Sequence, residues 1–492
     1  MDSYKTFIKN NRTVLIGHIL IYAQGIILMP LIIKTVGITV YGGYILVSTL
    51  LGFTFGISSF GVGFKSGRFL PASEGRKERR AFFYPQFCFQ FLSIVVLSLV
   101  IFVFYPMLDR LFFKSTFNFS RWLVFPYLFL YFLFSQIVGY LMSTHRVHHF
   151  NFSTVAFPYV NIALVALVYL KTHHLSVNTL FLMQIAAYLL LVIPLLAMLF
   201  REIGLEFTLP EFKELVSDIK LGLPLRINYI MDFLLSSSDR YLITYFLTVA
   251  AVGYYNPGYA LGSLIIFFPR VSGVVLVPLM SKALDTGNKE QAHNMFKYTI
   301  KGFLLLAIPY IVGSAVLSRS LLTLFANTEV SQKAYLVTPI VAAATLFFGL
   351  NIILSNVLWV KMKTSVILKM NTIAAFINLA LNLIFLSLFK NVLIAAITTL
   401  ISYAVVFVFI RRTLNKDWPL NFEFDVIRKS IIASALMGIV LYGTSTWLET
   451  NTSKILFLLS QTLIGIVVYG ITLLVLKTFS HKELLYFKKA FN

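Results

Sequence analysis

Residues 82–105 read FFYPQFCFQFLSIVVLSLVIFVFY, a stretch in which no side chain is charged. A helix of about 20 apolar residues crosses a hydrocarbon core roughly 30 Å thick, so this stretch is long enough to span a membrane. Similar segments recur along the 492 residues, and 58% of the chain is hydrophobic while only 12% is charged. Soluble chains carry about 25% charged residues. The composition therefore predicts a polytopic membrane protein.

The continuous apolar runs predict an all-α fold with about fourteen transmembrane helices. A membrane β-barrel would instead need strands of about ten residues in which apolar and polar side chains alternate. Several runs also contain proline, which helix bundles tolerate because neighbouring helices satisfy the freed backbone groups. The predicted spans are 12–33, 41–63, 82–105, 122–143, 154–172, 177–199, 221–246, 252–279, 299–322, 334–359, 367–389, 392–410, 429–448 and 455–476.

The formal net charge of +22 is explained by the side of the membrane on which the basic loops are predicted to lie. On a soluble protein such an excess would indicate nucleic acid. Here about 29 of the 41 Lys and Arg residues lie at the N-terminus and in every second loop, which the positive-inside rule assigns to the cytoplasm. We therefore predict a multi-pass protein of the cytoplasmic membrane, with both termini cytoplasmic and no nucleic-acid partner.

The two halves of the chain resemble each other at short motifs. Residues 39–44 read TVYGGY and residues 250–255 read AAVGYY, so Gly42 and Gly253 stand 211 positions apart. Parallel repeats of this kind are typical of transporters whose substrate site lies between the halves. We predict two parallel-repeat six-helix bundles around a central cavity, 1–215 and 216–412, followed by two extra transmembrane helices and a cytoplasmic tail in 413–492.

Charged residues inside a span are rare and usually functional, and the seventh span carries four of them. Arg226 and Arg240 fall on one helical face, and Asp232 and Asp239 share a neighbouring stripe. Arg270 lies well inside the eighth span. One interpretation is a cationic lining that binds an anionic headgroup, since arginine matches phosphate oxygens with two parallel hydrogen bonds. The other is structural pairing, as between Asp239 and Arg240.

Two further cations end the second span, namely Lys65 and Arg68. They either contact phosphate at the cytoplasmic entrance or merely obey the positive-inside rule. Asp232 and Asp239 are the candidates for coupling to H+ or Na+. The sequence shows no motif of nucleotide hydrolysis, zinc proteolysis or nucleophilic catalysis, so we predict a secondary transporter with no catalytic residues, metal site or other cofactor.

Five short motifs stand out at the ends of predicted spans. They are residues 60–63 (FGVG), 68–71 (RFLP), 238–243 (SDRYLI), 252–255 (VGYY) and 277–281 (VPLMS). In these motifs the chain resembles the polysaccharide-export flippases of the multidrug/oligosaccharidyl-lipid/polysaccharide (MOP) superfamily, in the O-antigen translocase (Wzx-like) branch. The resemblance also covers the whole chain in helix count and layout.

The resemblance implies that the cargo is an undecaprenyl-pyrophosphate-linked oligosaccharide, moved from the inner to the outer leaflet by ion-coupled alternating access. It implies that Arg226 and Arg270 bind the pyrophosphate, with Arg240, Arg68 and Lys65 as further substrate contacts. Membrane lipids, a polysaccharide polymerase and glycosyltransferases are the implied partners.

Three other functions stay open at this point. A multidrug or cation antiporter of the same superfamily would need an acidic cavity, whereas the charge within the spans is slightly positive. A membrane-embedded glycan polymerase or ligase would need a long outer loop, and no loop between the predicted spans exceeds about 20 residues. An assembly scaffold would leave the buried charges unexplained.

Overall fold

The computed structural model describes residues 2–62, 70, 73, 75–207, 212–415, 418 and 423–479. Within these ranges every regular element is a helix and no strand occurs. Thirteen helical segments of this part are long and apolar enough to cross a membrane. The all-α membrane fold is therefore confirmed. The chain divides into two compact units, Met1–Gly253 and Tyr254–Asn492, and each is described by itself.

The described residues of the first unit form seven long helices. A glycine with positive φ separates α1 from α2, since Gly37 adopts φ 92°, and Gly204 ends α6 with φ 74°. Glycine adopts such values at little cost because it lacks a Cβ. The helices are α1 (Asp2–Val36), α2 (Ile38–Ser58), α3 (Arg76–Leu108), α4 (Val124–Ser143), α5 (Val147–Thr172), α6 (Val177–Ile203) and α7 (Phe212–Phe246). A π-helical turn, Asp109–Phe113, and a 3-10 turn, Arg121–Leu123, connect α3 to α4.

The remaining helices begin with α8, which starts in the first unit and ends in the second. They are α8 (Val249–Gly262), α9 (Phe267–Asp285), α10 (Lys289–Phe325), α11 (Thr328–Ala334), α12 (Val337–Val360), α13 (Thr364–Phe389), α14 (Val392–Asn415), α15 (Phe424–Asn451) and α16 (Lys454–Val475).

The predicted span 252–279 is interrupted rather than continuous. A 3-10 turn, Leu264–Ile266, separates α8 from α9. Pro269 lies in the first turn of α9, and its ring nitrogen cannot donate to the carbonyl four residues earlier. The proline therefore accounts for the break, because the first turn is the part of a helix that tolerates it.

Gly42 and Gly253, which stand at equivalent places in the two similar motifs, contact each other's segments within the first unit. A Cβ on Gly42 would overlap the carbonyl group of Val249 and lie 3.2 Å from its carbon. A Cβ on Gly253 would overlap the carbonyl group of Ile38 and lie 3.1 Å from its carbon. The contact is therefore reciprocal at these two positions, while the predicted repeat of whole six-helix bundles stays a prediction.

In the second unit, amide and hydroxyl groups join α13 to α14. Asn382 donates to Asn378 Oδ1 over 3.0 Å and accepts from Thr398 Oγ1 over 2.6 Å. Asn378 donates to Thr399 over 3.4 Å, and all four residues are at most 1% exposed. Buried polar groups in a membrane helix are satisfied by neighbouring helices. These asparagines therefore hold helices together.

Candidate functional site

Helices α2 and α7 pack closely along a line of glycines in α2. The ring of Tyr229 lies over Gly56, and its hydroxyl donates to the carbonyl oxygen of Gly52 over 3.3 Å. Near the end of α2, the backbones of Gly61 and Gly222 touch, leaving no room for a Cβ on either residue. Small residues let membrane helices approach in this way. The close approach brings the charged helix α7 against an uncharged neighbour.

A cavity of about 380 Å³ lies beside this seam, within the first unit. This is within the range of roughly 300–1,000 Å³ typical of ligand sites. Its walls come from α2, the first part of α3, the last part of α4 and α7. The lining residues with polar side chains are Ser59, Gln86, Gln90, Ser135, Gln136, Tyr140, Ser143 and Arg226. Arg226 is the one charged residue among the described residues that line it.

Three glutamines in the cavity wall form a chain of hydrogen bonds. Gln86 donates to Gln136 over 3.4 Å, and Gln136 donates to Gln90 over 2.6 Å. Gln90 in turn donates to the hydroxyl of Ser58 over 2.9 Å, which donates to the carbonyl of Phe55 over 2.7 Å. Each amide is thereby held in one orientation. The wall can therefore present fixed donors and acceptors without adding charge.

Arg226 is oriented by α2 and keeps one donor unused. Its Nη1 donates to the carbonyl oxygen of Gly56 over 2.8 Å. Its Nε is buried and has no hydrogen-bond partner in the described part of the chain. A buried guanidinium nitrogen without a partner is costly, so an acceptor at this point would be stabilised. The local geometry suits an anionic oxygen.

The other charges of α7 differ in their surroundings. Asp239 is 2% exposed, and its Oδ1 lies 3.6 Å from Arg240 Nη1 and accepts from the Arg240 backbone over 2.8 Å. Arg240 also donates to the carbonyl of Ser236 over 3.0 Å. These contacts favour the structural interpretation of the pair. Asp232 is partly buried, further along the helix toward Arg226.

Three other predicted site residues are not among the described residues that line this cavity. Arg270 lies on α9, in the second unit, and is exposed. Lys65 and Arg68 lie outside the described residues. The proposed substrate contacts at these three positions stay predictions.

Basic residues at the start of α3 and just before α5 form ion pairs and hydrogen bonds with the end of α6. Arg79 Nη1 lies 2.7 Å from Glu202 Oε1, and Arg146 Nη2 lies 3.0 Å from the other oxygen of that carboxylate. Arg76 donates to the carbonyl of Arg201 over 3.1 Å. Cations near the last turn of a helix satisfy its free carbonyls and oppose its dipole. Arg76 and Arg79 thus hold α3, and Arg146 holds the start of α5, against the end of α6.

Sequence reasoning missed Gln86 and Gln90 of the cavity wall. These two residues are four positions apart in the uncharged run 82–105, which places both on one helical face. That spacing is the signal by which they could have been found. Their partner Gln136 lies within the predicted span 122–143, and nothing in its sequence surroundings assigns it to the same wall.

Comparisons with known proteins agree with this architecture. The family model described as lipid II flippase MurJ matches residues 68–478. The probable low-salt glycan biosynthesis flippase Agl15 of Haloferax volcanii is 24% identical over 249 residues, or 51% of this chain and 52% of that protein. The chain thus spans about half the length of that relative.

Two solved structures share the fold. Lipid II flippase MurJ in an inward closed conformation has a TM-score of 0.73 at 16% identity, over 94% of this chain and 98% of that one. An inward-facing MATE family multidrug transporter of the MOP superfamily has a TM-score of 0.62 at 14% identity, over 83% and 95%. Since the family model matches well over half of the chain, this protein belongs to the lipid II flippase MurJ family, and the expected membership of the MOP flippases is confirmed.

Proposed function

We propose that this protein is a flippase for lipid-linked glycans. Its cargo in this proposal is an undecaprenyl-pyrophosphate-linked oligosaccharide, an O-antigen unit or a similar precursor of a surface polysaccharide. The glycan is moved from the inner to the outer leaflet of a bacterial cytoplasmic membrane by alternating access. Family membership supports the class of activity, and the glycan flippase named among the relatives supports the class of cargo.

The observation that carries the proposal is the unused Nε of Arg226 in a cavity lined by amides and hydroxyls. A pyrophosphate offers the anionic oxygens that a guanidinium binds best. Sugar hydroxyls both donate and accept hydrogen bonds, and so do the glutamine side chains of the wall. One cation with several oriented amides therefore fits a charged phosphate followed by neutral sugars.

The same lining argues against an antiporter of organic cations. Such a substrate needs a carboxylate to balance its charge once its hydration is lost. Among the described lining residues the one charged group is the cation Arg226. An organic cation in this cavity would meet like charge, so the glycan is the better substrate.

The coupling ion and the assembly partners are part of the proposal. Asp232 and Asp239, both on α7, are the candidates for binding H+ or Na+. A polymerase and glycosyltransferases are the expected partners, because they would consume and supply a lipid-linked glycan.

The test is translocation of an undecaprenyl-pyrophosphate-linked oligosaccharide in proteoliposomes that contain the full chain. The measured quantity is the rate at which the glycan becomes accessible on the opposite leaflet. Losing a hydrogen bond to a charged group costs about 1.5–3 kcal/mol. Arg226→Gln should therefore weaken cargo affinity by roughly 10- to 100-fold. Arg226→Lys should retain more activity, because it keeps the charge.

Arg110→Ala is the matched control, since Arg110 is an exposed arginine of the same unit. Arg270→Ala tests the second predicted contact. Unchanged translocation in both Arg226→Gln and Arg270→Ala, at normal abundance, would show that the proposed anion site is wrong. Efflux of an organic cation that rises when Arg226 is neutralised would favour the antiporter.

A further inference from the structure

A second cavity, of about 520 Å³, lies in the first unit between the last turns of α3 and the start of α4. Its α3 wall consists of Val95, Ser98, Leu99 and Phe102, which occupy one face of the helix at helical spacing. Leu99 is 61% exposed, so the cavity is open along this face. In a membrane protein such an apolar face contacts the hydrocarbon of lipid chains.

One end of this cavity carries a cation stacked on an aromatic ring. The guanidinium carbon of Arg121 lies 4.3 Å from the centroid of the Phe102 ring, and the Trp122 ring meets the same phenyl ring edge-on at 4.6 Å. Arg121 has no carboxylate partner in the described part of the chain. A stacked guanidinium keeps the donors along its edge available for a phosphate.

Two other features mark this end as a place for a polar headgroup. Trp122 is 71% exposed, and tryptophan is enriched at the boundary between hydrocarbon and headgroups. Ser98 is 4% exposed and lines the cavity, and its hydroxyl has no hydrogen-bond partner among the described residues. A buried hydroxyl without a partner implies an acceptor that enters the cavity.

We propose that this cavity is a binding site for an anionic glycerophospholipid, distinct from the site of the glycan cargo. The phosphate lies on the edge of the Arg121 guanidinium, and one acyl chain follows the α3 face beneath Trp122. The ester oxygens near the phosphate supply the acceptor for Ser98. A single cation matches the single phosphate of such a lipid.

The experiment uses the four tryptophans of the chain. A variant that keeps only Trp122 is compared with one that keeps only Trp447, which is 67% exposed and serves as the matched control. Each full-length variant is placed in nanodiscs of phosphatidylcholine. Phosphatidylglycerol or phosphatidylcholine with brominated chains, which quench nearby tryptophan fluorescence, is then titrated in.

One basic residue near the headgroups contributes about 1 kcal/mol to the binding of an anionic lipid. We therefore expect the mole fraction that quenches Trp122 by half to be about fivefold lower for brominated phosphatidylglycerol than for brominated phosphatidylcholine. Trp447 should show no preference. Arg121→Gln should abolish the preference and Arg121→Lys should retain part of it. Leu99→Phe, which fills the cavity from its exposed side, should weaken quenching by both lipids.

Equal quenching of Trp122 by the two lipids, or an equal preference at Trp447, would overturn the proposal. So would an unchanged preference in Arg121→Gln. If a stoichiometric amount of polyprenyl phosphate displaced brominated phosphatidylglycerol, the occupant of the cavity would be the carrier lipid and the proposal of a glycerophospholipid would be wrong. Flipping activity does not enter these measurements, so failure of this site leaves the proposed transport untouched.

Discussion

Replacing Gly222 by alanine tests the close approach of α2 and α7. Within a helix this change normally stabilises, because alanine is favoured over glycine by about 1 kcal/mol. Here the new Cβ would lie 2.5 Å from the carbonyl carbon of Gly61, a backbone atom that cannot rotate away. Ordinary contact begins at 3.4 Å, so α7 and the turn that follows α2 would have to separate by about 1 Å.

Overpacking of this kind costs about 1–3 kcal/mol, which exceeds the gain in helix propensity. We therefore expect Gly222→Ala to be less stable than the native protein by about 1–2 kcal/mol. Arg226 lies one turn further along the same helix, so the separation should also lengthen its hydrogen bond to Gly56. Translocation of the glycan should then fall together with stability.

The assay is thermal unfolding of the full chain in detergent, followed by intrinsic fluorescence. Gly52→Ala is the matched control, because a Cβ there would have no non-local neighbour within 4 Å. At about 2–4 °C per kcal/mol for units of this size, Gly222→Ala should unfold several degrees below Gly52→Ala. Equal midpoints, or a higher one for Gly222→Ala, would refute the backbone contact.

Two further predictions concern the second unit. Thr398→Val should remove the hydrogen bond to Asn382 and lower the unfolding free energy by about 0.6–1.7 kcal/mol, whereas Thr398→Ser should be nearly neutral. An equal loss of stability in both variants would contradict the role of the hydroxyl. Hydrogen bonds from Lys333 and Tyr254 lower the pKa of Glu329, and hydrogen bonds to Glu329 and Tyr254 raise the pKa of Lys333. The stabilisation by Glu329 is therefore present above its ordinary pKa and is lost as pH falls through the lowered value. The measurement compares the unfolding free energy of the native protein with that of Glu329→Gln as a function of pH. The difference between the two should become smaller at acid pH, and a difference that stays constant would contradict this explanation.

The fold could be predicted from the sequence because its signal is local. An uncharged run of about 20 residues identifies a spanning helix without reference to any neighbour. The break before Pro269 escaped prediction because helix bundles often accommodate proline within a span. Its effect depends on where the helix begins, and a continuous apolar run does not mark that point.

The site was only partly predictable. The charge of Arg226 within a span indicated that it avoids lipid, as a buried cation must. Its partner could not be inferred, because the Gly56 carbonyl carries no sequence signal. The glutamines escaped for a related reason. A helix that is apolar all round gives no indication of its rotation, so the facing of Gln90 toward Gln136 is decided by tertiary packing.

The contact of Gly42 and Gly253 joins two segments that are far apart in the sequence. A side chain in either place would push a backbone carbonyl of the other segment aside. One steric requirement therefore acts on both positions. A larger residue at one of them could be accommodated only if the backbone of the other segment moved as well.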